Sequence, residues 1–148
     1  MYKQMLVSTD GSKLSAKAIR MAVKLADATG AKVTGVYVIP PYVAPAYGEG
    51  VMYMPAVSPA RYKQITEREA RKALAAVEIE ARTGKVDFAT VTLTADNPWE
   101  GIIRAAKSRR ADLIVMASHG RRGLAGLVLG SETTKVLTHS KVPVLVCR

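Results

Sequence analysis

Strand-like apolar segments alternate with segments whose apolar residues recur at helical spacing, and this alternation restricts the fold more than any other feature. Five short segments have the composition of strands, at residues 2–9, 31–39, 85–94, 111–118 and 141–148. Helical spacing is found between them, over residues 12–29, from 59 to about 82, from 97 onward and over 131–139. The order β-α-β-α-β-α-β-α-β predicts an open doubly wound α/β fold, with a parallel five-stranded sheet and helices on both faces.

Signals at the ends of these segments support the assignment. Gly30 is expected to end the first helix. Ser58 and Asn97 each precede a proline and are predicted to cap the second and third helices. The third strand is more polar than the others, and Pro143 cannot donate a hydrogen bond within the fifth, so both strands are expected at edges of the sheet.

Length and composition indicate one domain over residues 1–148. The apolar stretches are far shorter than the roughly 20 residues of a membrane-spanning helix. The N-terminal residues have no signal-peptide pattern. Cys147 is the only cysteine, so the chain has no internal disulfide, as is typical of a reducing compartment. We therefore expect a cytoplasmic protein without a membrane segment.

The formal net charge of +10 is compatible with anionic partners such as nucleotides, nucleic acid or an acidic surface, but the charge alone favours a solvated basic surface. Nucleic acid is not expected, because the basic residues are scattered and are not interleaved with aromatic residues.

Residues 40–57 form a long loop rich in Pro, Tyr and Met, which either covers a pocket or packs on the surface.

Two loops are candidates for a binding site. In a doubly wound sheet, ligands bind beyond the carboxyl ends of the strands, where the strand order reverses. Residues 8–12 follow the first strand and residues 117–131 follow the fourth. If these two strands are neighbours, the loops face each other across one crevice.

The loop after the fourth strand is suited to an anion. Gly120, Gly123 and Gly126 allow the backbone to approach a ligand closely. Gly130 and Ser131 begin a helix, whose first amides have no partner within the helix and attract phosphate. Ser131 serves either as a ligand or as the N-cap, and these two roles are compatible. The pair 121–122 consists of arginines, which add charge to the site or lie in solvent or at a dimer contact.

Asp10 is expected at the mouth of the same crevice, where it either caps the first helix or accepts hydrogen bonds from a nucleoside or from water bound to magnesium. The chain lacks both GxxxxGK[ST] and a GxGxxG after the first strand. For catalysis, His119, His139 and Cys147 are candidates besides Asp10, but they form neither a catalytic-triad order nor a metal-ligand spacing. We therefore expect a binding module rather than an enzyme, with any hydrolysis of a bound nucleotide slow and incidental.

Four motifs together resemble the universal stress protein family over the full length of the chain. They are VSTDGS after the first strand, DLIVMASHGRRG around the fourth, LVLGS before the last helix and KVPVLVCR at the end. The resemblance implies an adenine nucleotide alpha hydrolase-like sheet with the strand order 3-2-1-4-5. It also implies a homodimer, in which residues 142–147 pair with the same strand of a partner.

One branch of that family binds ATP through a motif of Gly, two residues, Gly, nine residues, Gly and then Ser or Thr. Ala117 replaces the first glycine here, while Gly120, Gly130 and Ser131 fit the motif. By this resemblance, Val38 holds adenine through its backbone. The implied nucleotide-binding residues are Ser8, Thr9, Asp10, Val38, Met116, Ala117, Gly120, Arg121, Gly130, Ser131 and Glu132.

Two of these residues, Ala117 and Glu132, affect whether a nucleoside triphosphate can bind. Ala117 is strained only if its φ is positive, and as the continuation of a strand it is expected to have ordinary geometry. The carboxylate of Glu132 is expected to repel a triphosphate unless Mg²⁺ or an arginine intervenes. The expected function is that of a stress-response module that binds ATP, or the related AMP or ADP, with Mg²⁺ as a further ligand. The alternative is a dimeric interaction or chaperone-like protein that binds no nucleotide.

Overall fold

A computed structural model of the protein describes residues 1–44, 57–120 and 129–148. Five strands and four helices alternate along the described chain, as the sequence predicts. The strands are β1 (Gln4–Ser8), β2 (Lys32–Ile39), β3 (Phe88–Thr94), β4 (Leu113–Ala117) and β5 (Val144–Cys147). The helices are α1 (Lys13–Thr29), α2 (Pro59–Thr83), α3 (Pro98–Ser108) and α4 (Ser131–His139).

The strands form one parallel sheet in the order β3-β2-β1-β4-β5, which confirms the predicted topology and the edge positions of β3 and β5. In β1, Met5 and Val7 pack with α1 and α2 on one face. Leu6 points to the other face and packs with α3 and α4. Because successive side chains of a strand point to opposite faces, the strand buries both of its sides. The sheet is therefore covered by helices on both faces.

Two helices approach the sheet closely at glycines. A Cβ atom on Gly35 of β2 would lie 2.9 Å from Cγ2 of Val77 in α2. A Cβ atom on Gly101 of α3 would lie 2.7 Å from both Cγ atoms of Val38. These contacts fix the distance of α2 and α3 from β2, and the second of them holds Val38 near the edge of the crevice.

The helix ends differ in part from expectation. Gly30 ends α1 with φ 67°, and Ser58 caps α2 by accepting from Arg61 N–H, as predicted. Asn97 is the N-cap residue of α3, as predicted, but its side chain donates to Glu100 Oε1 and makes no hydrogen bond as a cap. The N-cap of α4 is Gly130 rather than Ser131.

All five strands are shorter than predicted, and the third and fifth both begin three residues later than expected. The chain turns at Lys85, where φ is 53°, and Val86 N–H donates to Ala81 O to complete the end of α2. Lys85 therefore belongs to the turn after α2, and Val86 and Asp87 lie outside β3, although the composition of this segment is typical of a strand. Among the described residues, no helix combines the length and apolarity required to cross a membrane. Most of the loop predicted over 40–57 lies outside the described residues.

Candidate functional site

The loops after β1 and β4 meet at the carboxyl edge of the sheet, because β1 and β4 are neighbours. Between them is a cavity of about 670 Å³, within the range typical of small-molecule sites. Every predicted site residue in the described part of the chain lines this cavity. These are Ser8, Thr9, Asp10, Val38, Met116, Ala117, Gly120, Gly130, Ser131 and Glu132. Arg121 lies outside the described residues, as do Arg122, Gly123 and Gly126.

The N-terminus of α4 is fixed against the end of β4 by two hydrogen bonds. Gly130 N–H donates to Ser118 O at 2.7 Å, and the Thr133 hydroxyl donates to Ala117 O at 3.0 Å. Gly130 has no side chain with which to cap the helix. The amides of the first turn therefore form the part of the cavity wall that suits an anion.

Gly120 and Gly130 are required for close approach rather than for positive φ, since both have ordinary backbone geometry. A Cβ atom on Gly130 would lie 3.1 Å from Cα of His119. One on Gly120 would lie 2.9 Å from Oδ2 of Asp10, which belongs to the opposite loop. A side chain at Gly120 would press against the opposite loop, and one at Gly130 would press the start of α4 away from His119 in the same loop.

Asp10 does not cap α1, although the sequence left that role open. Ser12 is the N-cap, and its hydroxyl accepts from Ser15 N–H at 3.1 Å. Asp10 Oδ1 accepts from Ser12 N–H at 3.0 Å, which orients the carboxylate across the crevice so that Oδ2 faces Gly120. This orientation supports a ligand-binding role, because an ionised carboxylate accepts hydrogen bonds from hydroxyl or amino groups.

Val38 has its backbone at the edge of the cavity. Thr9 N–H donates to Val36 O at 3.0 Å, just beyond the end of β1. In a parallel strand, alternate residues direct their N–H and C=O groups to the same neighbour. Ile39 O accepts from Ala95 N–H on the β3 side, so Val38 directs its groups to the other side, past the end of β1. The backbone of Val38 thus presents one donor and one acceptor toward the cavity.

Ala117 has ordinary strand geometry, as expected. It is the last residue of β4, pairs with Cys147 of β5 and has no positive φ. Replacing the first glycine of the motif by alanine therefore costs no backbone strain.

Glu132 was expected among the phosphates, and its carboxylate is instead engaged with α3. Oε2 accepts from Trp99 N–H at 2.9 Å, and Oε1 lies 3.6 Å from Nζ of Lys135. The carboxylate therefore supplies the cap that Asn97 was predicted to provide. Its negative charge is stabilised by the N-terminus of α3 and by the lysine.

Trp99 is partly buried against the core cluster of α3 and α4, in agreement with its predicted packing role. The centroid of its ring lies 4.6 Å from that of His139.

Sequence analysis missed other residues of the cavity wall, among them Pro98 and Ile102 of α3 and Thr133 of α4. The rule that crossover helices begin near the carboxyl ends of the strands could have indicated Pro98 and Ile102.

Other reactive side chains of the described residues are Ser118, His119 and Cys147. Ser118 Oγ lies 3.2 Å from Nδ1 of His119, but Ser118 is 1% exposed and a substrate does not reach its hydroxyl. Burial raises the pKa of the Cys147 thiol, which lowers its thiolate fraction. Within residues 1–44, 57–120 and 129–148, no three His, Cys, Asp or Glu side chains come together to hold a metal ion.

The whole chain, residues 1–148, matches the sequence model of the universal stress protein family. The chain belongs to this family. It is 34% identical to a universal stress protein of Thermus aquaticus and 32% identical to universal stress protein YxiE of Bacillus subtilis, in both cases over all of each chain. A universal stress protein solved in complex with cAMP has a similar fold, with a TM-score of 0.73 and 25% identity over 99% of this chain and 96% of that one.

Proposed function

We propose that this universal stress protein binds ATP or a related adenine nucleotide, AMP or ADP, in the crevice between the loops after β1 and β4. The observation that carries the proposal is the convergence of three complementary walls on one cavity. They are the backbone edge of Val38, the carboxylate of Asp10 and the first turn of α4. The relative solved in complex with cAMP supports the same class of ligand.

Each wall matches one part of the nucleotide. The N–H and C=O of Val38 complement the ring nitrogen and the amino group of adenine. Asp10 accepts hydrogen bonds from ribose hydroxyls. The amides that follow Gly130 receive the phosphates, as helix N-termini commonly do. Mg²⁺ bound with ATP would take oxygen ligands from the phosphates and water, and the carboxylate of Asp10 would accept a hydrogen bond from that water.

We further propose that the protein acts in the cytoplasm as a stress-response module, signalling through contacts between subunits rather than by catalysis. The edge strand β5 supports a dimer. All four of its residues are half-buried, at an edge of the sheet where a partner strand can add. β5 also pairs with β4, whose last residue lines the cavity, so subunit contacts at residues 142–147 lie close to the nucleotide.

Calorimetry with ATP·Mg²⁺ and with AMP tests the proposal on the wild-type chain and on Gly130→Val. The valine side chain would collide with the backbone of His119 and displace the first turn of α4. We expect nucleotide binding to be lost while sedimentation still shows the dimer. Thr138→Val, in the same helix but exposed near its other end, is the matched control and should bind like the wild type.

Two outcomes would contradict the proposal. If folded wild-type protein binds neither nucleotide, the proposed nucleotide binding is refuted and the alternative of a dimeric interaction module is favoured. Unchanged affinity in Gly130→Val would mean that the phosphates bind elsewhere.

A further inference from the structure

The charges that line the cavity are unbalanced for a ligand that carries phosphate. Among the lining residues that the structure describes, Asp10 and Glu132 are acidic, and neither lysine nor arginine is present. His119 is the one described lining residue that can gain a positive charge. It belongs to the loop after β4, next to Gly120 in sequence, and its Cα and Cβ lie against Gly130 at the start of α4.

We propose that His119 is a proton-dependent ligand of the nucleotide phosphate, so that the site binds nucleoside phosphates more tightly as the pH falls. This inference rests on the proposed function and names a regulator of the same site. The physical cause is that an imidazolium forms a charge-assisted hydrogen bond with phosphate, which is stronger than that of a neutral imidazole. Histidine is the side chain whose charge ordinarily changes between about pH 5 and pH 8.

The contact between His119 and Ser118 is compatible with both protonation states. Nδ1 lies 3.2 Å from the Ser118 hydroxyl, which is buried and able either to donate or to accept. In the neutral ring the hydroxyl donates to Nδ1, and the ring hydrogen is then on Nε2. In the imidazolium the hydroxyl accepts from Nδ1–H, and Nε2 still carries a hydrogen. The ring is therefore held in place while only its charge changes.

Two charged side chains of the described residues face the same cavity as His119, namely Asp10 from the loop after β1 and Glu132 from α4. Arg121 and Arg122 follow His119 in sequence. A guanidinium keeps its charge throughout this pH range, so neither arginine generates a pH dependence of binding. The only other histidine in the chain is His139, at the exposed end of α4, where its Nδ1 lies 2.8 Å from Lys135 O.

The test is the affinity for cAMP, measured by calorimetry on the full chain at about pH 8 and about pH 5.5. A phosphodiester keeps one negative charge over this range, whereas the monoester of AMP takes up a proton near pH 6 and would confuse the measurement. Adenosine, which has no phosphate, is the ligand control. The variants are His119→Gln, which keeps an N–H donor without the charge, and His139→Gln as the matched control.

We expect wild-type protein and His139→Gln to bind cAMP about fivefold more tightly at the lower pH, the typical gain when a hydrogen bond becomes charge-assisted. His119→Gln should bind with an affinity that does not change with pH. Adenosine should bind equally at both pH values. A pH-independent wild type, or a pH dependence that survives in His119→Gln, overturns the inference while leaving the proposed function intact. Failure of folded protein to bind any of these ligands, or AMP, overturns both.

A second measurement needs no variant. In a histidine NMR titration of wild-type protein, saturating cAMP should move the titration midpoint of His119 to higher pH, because the ligand favours the protonated ring. The midpoint of His139 should stay where it is. Equal midpoints for His119 with and without cAMP would exclude a contact between its charge and the phosphate.

Discussion

Replacing Glu132 tests whether its carboxylate acts as the cap of α3 and not as a phosphate ligand. Oε2 accepts from Trp99 N–H at 2.9 Å, and this amide belongs to the first turn of α3, where backbone donors have no partner within the helix. The contact joins residues 33 positions apart and so ties α3 to α4. Its loss is expected to weaken both the helix start and the packing of the two helices at the cavity.

The magnitude follows from the contacts. Loss of a side-chain cap costs about 0.5–2 kcal/mol, and loss of a negative charge at a helix N-terminus costs about 0.3–1 kcal/mol. These two values cannot simply be added, because they partly describe the same interaction. The side chain is also 35% exposed, which weakens its electrostatic contribution. Glu132→Ala should therefore lower the free energy of unfolding by about 1–2 kcal/mol. Glu132→Gln keeps an acceptor and should lower it by less than about 1 kcal/mol. At about 2–4 °C per kcal/mol for a domain of this size, the alanine variant should melt about 2–8 °C lower.

Thermal and urea unfolding followed by circular dichroism provide the assay. Glu100→Gln is the matched control, because Glu100 is an exposed acid in the first turn of the same helix and accepts a hydrogen bond from the Asn97 side chain. It should change the free energy of unfolding by less than about 0.5 kcal/mol. Equal stability of Glu132→Ala and the wild type, or an equally large loss in Glu100→Gln, would refute the assignment of Glu132 as the cap.

The Glu132 variants also distinguish a carboxylate that only caps α3 from one that is a ligand of the nucleotide. If the carboxylate of Glu132 is not a ligand, removing its charge reduces repulsion of the phosphates. Glu132→Gln should therefore bind ATP more tightly than the wild type and bind adenosine with unchanged affinity. Weaker binding of ATP would show that the side chain contributes to the site directly, through the phosphates or their metal ion.

Three further predictions concern the fold. Lys85→Gly should raise the free energy of unfolding by about 0.5–1 kcal/mol in urea denaturation, because φ is 53° there and glycine adopts this geometry without strain; a destabilised variant would contradict this. Gly35→Ala should lower the free energy of unfolding by about 1–3 kcal/mol, because the added methyl group collides with Val77. In a double-mutant cycle, Val77→Ala should relieve part of this loss, and strictly additive effects would contradict the prediction. Alkylation of Cys147 should be slower at pH 8 in the folded than in the urea-unfolded chain, since burial raises the pKa of the thiol and removes thiolate; equal rates would contradict that.

The fold could be predicted from sequence because each element carries its own periodicity and end signals. The alternation of strand and helix patterns determines a parallel sheet, and Pro143 and the polar third strand indicate the two edges. The errors lie where a local signal competes with a contact made by a distant residue. Asn97 has the sequence of a cap, yet the donor of Trp99 is satisfied by Glu132, which lies far along the chain.

For the site, the sequence could predict which residues lie near one another but not how their side chains are oriented. Two loops after adjacent parallel strands must share one edge of the sheet, and this placed Asp10 and Gly130 around one crevice. Sequence could not indicate that Asp10 turns toward Gly120 or that the carboxylate of Glu132 turns toward α3, because side-chain orientation depends on hydrogen bonds between segments. For the same reason, the lack of a described lysine or arginine in the cavity wall became apparent only from the fold.

The most direct test of the account is a comparison of backbone amide shifts on titration with AMP and with adenosine, in ¹⁵N-labelled protein. Because the two ligands differ only in the phosphate, their difference locates it. The account predicts that Val38 shifts with both ligands, whereas Gly120, Ser131 and Glu132 shift strongly with AMP alone. Shifts confined to other parts of the sheet, or the same response to both ligands at the start of α4, would contradict the claim that this helix N-terminus receives the phosphate.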